Sequence, residues 1–525
     1  MPGKQQKRQN QKEHRTRIGL WLFLAILIFN LWAYNGGPIT GSDGYYVYLS
    51  ARSILERGSL SIDETGYIPG TETYRAKLGI DGKLYPVSGV GWIISLLPGL
   101  ALGKIISLLP LATTPQALFI FFASMVMPIA GALLGFLIYA SLLRLGVGRA
   151  VSISASLLCM LTTPIWYYSS TGNWGEILLC LSFFASFYLL QRYRESSEVH
   201  WLFLSSACLA YAMTIKLYSL ILVIPMLFYL WLILPHSFKK RPLWLSIYLL
   251  PFALGVLAVM TTNLLHFGGV FDVGYTVSNQ TRSIPPGIGI FGLLFSPGVG
   301  LLFYFPASIL AVIGFFKFSR QHRAEAVFIV ASLIAFLIFF GRLWYWSGDP
   351  SYGPRYVMPL IPLLMLPIGY LLDRLRRLPR TIWLSIFASL GILVTLPGLL
   401  LSWRFMEHIV PAGGIRYYLP ECSPIYAGWR TIILTNSAGI FAPPEIATYP
   451  NGPYRLEYQI PPQIVGSFWY SPLCPTTEVN PAIGKTMLFL GFVIPIVGGL
   501  AMIMLVLQYR QALLSDRKKF PPPPD

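Results

Sequence analysis

Long apolar runs separated by short polar turns dominate this chain. Windows near the ~20 residues that cross ~30 Å of hydrocarbon number about twelve. The first is "IGLWLFLAILIFNLWAY" at 18–34 and the last covers 486–508. This pattern predicts an all-α polytopic membrane protein. Residues 201–235 form one apolar stretch interrupted only by Lys216, too long for one span and tight for two. Residues 1–17 read as a basic tail, 18–403 as a transmembrane domain, 404–485 as an extracytoplasmic loop or cap, and 509–525 as a charged, Pro-rich tail without fixed structure.

Within the transmembrane domain, 35–116 is a large outer loop expected to hold interfacial helices. A helical pattern covers 43–57, and "YRAKLGIDGKLYPV" reads as a hairpin turning at Asp81-Gly82, a type I′ signal. "GVGWIISLLPGLALGKIISLLP" contains Pro98 and several glycines, which suit an interfacial or re-entrant element. In 404–485, "YRLEYQI" and "VGSFWY" alternate as strands do, so a small mixed cap is expected there. No repeat of fixed period is visible, which counts against an inverted-repeat transporter.

Composition agrees with the pattern. Of 525 residues, 55% are hydrophobic and 11% charged, against about 25% charged in soluble domains. The formal charge of +18 suggests a nucleic-acid partner only until its placement is considered. With the N-terminus in the cytoplasm, most Lys and Arg fall in inner segments and most acids outside, the positive-inside arrangement, with the C-terminus also cytoplasmic. The charge then reports topology and contact with anionic lipid, and no nucleic acid is needed. The first apolar run lacks a cleavage site and reads as an uncleaved span.

Cys159, Cys180 and Cys208 fall within spans as small buried hydrophobes, whereas Cys422 and Cys474 share the last outer loop and are candidates for a disulfide. The six histidines are scattered, and neither a GxxxxGK[ST] loop nor a Cys/His cluster occurs. No nucleotide cofactor is therefore expected, and a divalent metal is left open.

The chemistry-bearing candidates sit at outer span ends. Asp43 opens the 43–57 helix, either as its cap or as a general base. Glu176 starts a span, where the helix dipole alone favours a carboxylate. "GRLWYWSGDPSYGPRY" carries Arg342, Asp349 and Arg355 among aromatic residues, a set able to grip a phosphate beside a sugar or lipid, or to serve as an interfacial anchor. Lys216 is an ionisable residue inside apolar sequence, functional or snorkelling.

The order of "GSDGYYVYLSARSILERGSL", "DGKLYPVSGVGWIISLLPGLALG", "AMTIKLYS", "LLFSPGVGLLFYFP" and "SGDPSYGPRYVMPLIPLL" resembles the GT-C superfamily of integral-membrane glycosyltransferases. The likeness is to the lipid-carrier-dependent type that includes protein O-mannosyltransferases and the lipid A aminoarabinose transferase. It implies a plasma-membrane enzyme that takes a sugar from a polyprenyl-phosphate donor on the outer face. The sugar passes, with inversion, to an envelope glycan, lipid or protein. It also implies Asp43 as base, Arg355, Arg342 and Lys216 as phosphate ligands, and Glu176 or Asp349 as a second acid. Gly44 departs from the Asp-Glu pair frequent in the mannosyltransferases. A transporter or flippase for lipid-linked saccharides is the alternative.

Overall fold

In lipid each backbone polar group must be satisfied within its own segment, so apolar runs of this kind fold as helices. The computed structural model describes residues 2–35, 43–62, 75–108, 115–172, 174–234, 241–272, 283–348, 351–401 and 417–438, with isolated positions between 493 and 507. In chain order, α1 (Pro2–Trp32) and α2 (Asp43–Arg57) precede a hairpin of β1 (Ala76–Leu78) and β2 (Leu84–Pro86). Next come α3 (Val90–Ser107), α4 (Pro115–Ser124), α5 (Val126–Arg144), α6 (Arg149–Leu161), α7 (Pro164–Ser170), α8 (Gly175–Ser196), α9 (Val199–Ile215), α10 (Val223–Ile233) and α11 (Arg241–Phe267). The second half holds α12 (Pro286–Phe295), α13 (Leu301–Tyr304), α14 (Ser308–Gln321), α15 (Arg323–Gly341), α16 (Ile361–Arg374), α17 (Arg377–Leu400) and α18 (Pro424–Ala438). Turns of 3-10 helix lead into α10 at Leu217–Leu222 and into α16 at Arg355–Leu360.

The chain is a multi-pass membrane protein. Among the described residues six helical segments are long and apolar enough to cross a bilayer: Val90–Ser107, Leu118–Arg144, Pro242–Phe267, Arg323–Gly341, Arg355–Arg374 and Arg377–Leu400. A seventh appears if α6 and α7, bent by 66° at Thr163-Pro164, form one broken span. Arg17–Trp32, Val199–Ile215, Leu217–Ile233 and Pro286–Phe295 are apolar but shorter. The expected span at 486–508 and the strand-like segments "YRLEYQI" and "VGSFWY" lie outside the described residues, isolated positions apart.

Burial sorts centre from periphery. In the Arg355–Arg374 segment 78% of the apolar window is buried, against 11% for Pro242–Phe267. The first is the core of the bundle and the second presents its side chains to lipid. Ser205 Oγ lies 2.9 Å from Ser186 Oγ and donates to the Ser186 carbonyl at 2.8 Å, fixing α9 on α8 through small residues as membrane helices require. Phe187, Tyr229 and Phe328 stack at centroid distances of 5.0–5.3 Å and join α8, α10 and α15.

Two expectations are corrected. The segment containing Pro98, expected as an interfacial or re-entrant element, is one continuous helix, α3, long and apolar enough to cross a bilayer, which overturns the re-entrant alternative. Its Gly99 and Gly103 do not break it. They lie against Phe122-Ala123 and Leu118-Phe119 and let α3 approach the backbone of the next span closely. The hairpin turn is also not type I′, because Gly82 (φ 75°) has left-handed backbone and Asp81 does not. Gly79 N–H donates to the Lys83 carbonyl at 2.7 Å and Gly82 N–H to the Gly79 carbonyl at 3.1 Å, so the loop is a turn closed by a glycine bulge.

A Cβ at position 99 would collide with the Phe122 carbonyl. Gly99→Val is expected to cost about 1–3 kcal/mol, as overpacking does. The loss is read as a lower thermal midpoint in micelles, and an unchanged midpoint would show that α3 is not held by this contact.

Candidate active site

Five charged side chains from five separate elements converge at one end of the bundle. Arg355 opens the 3-10 turn that leads into α16, where Pro354 before it and Pro359 within it disfavour a regular α-helical start. Its Nε donates to Glu176 Oε1 at 2.6 Å and its Nη2 to Asp43 Oδ2 at 3.3 Å. Glu176 is the second residue of α8, at the positive end of the helix dipole, and is only 1% exposed. Asp43 is the first residue of α2, and its other oxygen, Oδ1, accepts from Arg75 Nε at 3.1 Å. Lys216 Nζ lies 3.5 Å from Glu176 Oε1.

Local backbone explains Lys216. The apolar stretch 201–235 divides here because Lys216 adopts an extended conformation (φ −142°, ψ 112°) that ends α9 and starts the 3-10 turn. The break buries the side chain, and its ammonium sits 4.7 Å from the centre of the Trp92 ring. Gly175 packs on that indole so closely that a Cβ there would lie 2.8 Å from the ring. Arg355 in turn lies 5.5 Å from the centre of Trp174, the residue that caps α8. Each buried cation thus has an aromatic face as well as carboxylates, which lowers the cost of its dehydration.

The surrounding wall is aromatic. Tyr168 meets Trp174 edge-on at 5.4 Å, Tyr167 lies 5.1 Å from Tyr352, and Tyr356 stacks on Phe340 at 4.2 Å and meets Tyr218 at 6.0 Å. Among the described residues the buried Glu176 Oε2 and Tyr218 hydroxyl have no hydrogen-bond partner. Both atoms retain hydrogen-bonding capacity toward a water or a ligand group.

Three cations face two carboxylates, leaving one positive charge. Burial pushes the Asp43 carboxyl up, but Lys216, Arg355 and Arg75 outweigh it and hold it below its ordinary 3.8. Asp43 is ionised at neutral pH and, while both oxygens are engaged by arginine, a weak base. Each carboxylate is matched to Arg or Lys, and no group of three or more His, Cys, Asp or Glu forms a metal site among the described residues. This donor set fits an anion better than a divalent cation.

Of the residues singled out in the sequence, Asp43, Glu176, Lys216 and Arg355 come together. Arg342 stands apart, exposed at the end of α15, its carbonyl accepting from Ile284 N–H and its side chain making no ion pair among the described residues. Asp349 and Cys474 lie outside the described residues, so the second acid at 349 and the Cys422–Cys474 pairing stay expectations. Sequence reasoning missed Arg75, Trp92 and Trp174. Arg75 opens the quoted hairpin, and nothing in its spacing announces a partner 32 positions away in sequence.

Residues 116–266 match the family described as dolichyl-phosphate-mannose-protein mannosyltransferase. That stretch carries Glu176 and Lys216 of the cluster, while Asp43, Arg75 and Arg355 lie outside it. Two solved structures are similar over much of the chain. ArnT from Cupriavidus metallidurans, bound to undecaprenyl phosphate, is 13% identical, with 88% of each chain covered and a TM-score of 0.44. The archaeal oligosaccharyltransferase AglB from Archaeoglobus fulgidus, in complex with an inhibitory peptide and a dolichol-phosphate, is also 13% identical. It covers 77% of this chain and 56% of that one, with a TM-score of 0.42. No curated protein matches the chain. The resemblance to lipid-carrier-dependent GT-C glycosyltransferases read from the motifs is thus met by the family match over 116–266.

Removing one partner of a buried ion pair costs about 3–5 kcal/mol, and exposure reduces that cost. Glu176→Gln is therefore expected to lower the thermal midpoint more than Asp43→Asn, whose side chain is 25% exposed; the reverse order would contradict the assigned burial. The depressed pKa of Asp43 gives a stabilisation fully present above pH 3.8 and lost as pH falls through the lower folded value. Asp43→Asn should flatten that acid limb of the stability profile.

Proposed function

We propose that the chain transfers a sugar from a polyprenyl-phosphate-linked donor to an acceptor of the cell envelope, a glycan, lipid or protein. Transfer takes place on the extracytoplasmic face of the plasma membrane. The observation that carries this reading is the buried cluster of Asp43, Glu176 and Arg355, with Lys216 and Arg75 supplying one cation more than the carboxylates neutralise. An excess cation in an apolar, aromatic-walled site calls for an anion, and a lipid phosphate beside a sugar ring is an anion with a face for aromatic contact.

In this reading the acceptor hydroxyl attacks the anomeric carbon while Asp43 takes its proton. The bond from that carbon to the phosphate oxygen breaks, and the phosphate leaves with the bonding electrons towards Arg355 and Lys216. One displacement inverts the anomeric configuration. Donor phosphate competes with Asp43 for the arginines, so its arrival frees the carboxylate and restores its basicity. Glu176 positions Arg355 and Lys216 through Oε1, and its unpartnered Oε2 is suited to accept from an acceptor hydroxyl. Arg342 and Asp349 stay secondary candidates, for phosphate and for acceptor.

A transporter or flippase would be expected to place ionisable groups along a path through several spans. Here the four sequence-predicted groups gather with Arg75 at helix starts and at one helix break.

Asp43→Asn is the direct test, with purified protein and a panel of polyprenyl-phosphate sugars. Transfer is expected to fall about a hundredfold or more while the fold persists, the scale for loss of a general base. Undiminished transfer by Asp43→Asn would remove Asp43 from the reaction. Movement of labelled lipid-linked sugar across vesicles without transfer would favour the flippase.

A further inference from the structure

A second charged region lies at the far end of the core helix. The segment that begins with Arg355 in the cluster ends at Arg374, and its 20 residues span roughly 30 Å at 1.5 Å per residue, the thickness of the hydrocarbon core. At that far end two helix turns meet, since Arg374 Nη2 donates to Gln321 Oε1 at 2.8 Å. The C-terminal end of α14 and the first residue of α15 carry Lys317, Arg320 and Arg323; the residue before α17 and the first turn of α17 carry Arg376, Arg377 and Arg380. None of these six side chains makes an ion pair among the described residues. The carboxylates nearest in sequence are engaged elsewhere, Glu325 buried against Arg194 (2.7 Å) and Asp373 accepting from Gly148 N–H (3.1 Å).

The helices leading to these turns expose apolar side chains. Val312 and Phe316 on α14, and Ile382 and Ile386 on α17, are all exposed large hydrophobics. α14 itself is seated on the core through Gly314, where a Cβ would lie 2.9 Å from Leu371. Six cations without an ion pair among the described residues, beside exposed apolar helix surface, match the two halves of one molecule, an anionic headgroup and its acyl chains.

We propose that this face binds an anionic glycerophospholipid, with its phosphate at the Lys317–Arg323 and Arg376–Arg380 turns and its chains along α14 and α17. The site is separate from the Asp43 cluster and lies in the opposite leaflet. It does not depend on the reaction proposed above.

The test compares wild type with two triple variants, Lys317→Gln/Arg320→Gln/Arg323→Gln and Arg376→Gln/Arg377→Gln/Arg380→Gln, purified in neutral detergent. Native mass spectrometry and thermal unfolding are followed on adding phosphatidylglycerol, phosphatidylcholine or inorganic phosphate. Wild type is expected to retain phosphatidylglycerol and unfold at higher temperature with it, and to respond little to the other two. Each variant should match the wild-type midpoint without lipid and bind phosphatidylglycerol at least about tenfold more weakly. Equal phosphatidylglycerol binding by the variants, equal binding of phosphatidylcholine, or the same stabilisation by inorganic phosphate alone would each overturn the proposal. Because five of the six residues are exposed and Arg380 is half-buried, a variant that fails to fold without lipid would also contradict it, by giving them a structural role.

Discussion

The guanidinium of Arg355 holds the site together. It is taken out of water at the head of the core helix, with 13% of its side chain exposed, and is shared between two carboxylates that arrive from distant parts of the chain. A charge buried in this way persists only with partners in good geometry. The start of α2, the start of α8 and the 3-10 turn before α16 are therefore bound to a common point. Glu176 extends the link to the break at Lys216, and Asp43 extends it to the hairpin through Arg75.

Close packing makes the charges affordable. Gly175 lets the Trp92 indole lie against the head of α8, and Gly91 places α3 against Thr214 just before Lys216. The Tyr211 hydroxyl donates to the Gly91 carbonyl at 3.0 Å and locks the same approach. These contacts set an aromatic face beneath Lys216, while the cap residue of α8 sets another beneath Arg355. The balance of three cations to two acids then follows from geometry, and with it the preference for an anionic ligand that underlies the proposed transfer chemistry.

Much of this was legible in the sequence, because an ionisable residue inside apolar sequence is costly and stands out. Lys216 was visible for that reason, and Asp43, Glu176 and Arg355 because they sit at outer span ends beside aromatic residues, so their convergence required only that span ends meet. Arg75 was hidden, since an arginine in a polar hairpin has no unusual context until the fold brings Asp43 beside it. Arg342 was equally conspicuous yet faces outward, because the helix end at Gly341 rather than charge decides where it points. The α3 glycines read as signs of an interfacial or re-entrant element because periodicity does not reveal a neighbouring helix that needs them small. At Asp81-Gly82 the dipeptide named a turn but not its backbone class, which depends on whether Asp81 also takes positive φ.

The most direct measurement of the central claim is the affinity for a short-chain polyprenyl phosphate with and without the surplus cation. Lys216→Gln leaves two arginines facing two carboxylates, so the cluster stays balanced and the fold is expected to hold. Because Lys216 is a buried partner of Glu176, the thermal midpoint is expected to fall while the protein still folds, and the account predicts binding weaker by about tenfold or more, the loss of one charge-assisted contact to the phosphate. Equal affinity in a folded Lys216→Gln protein would contradict it, because the positive excess of the cluster would then have no part in holding the donor.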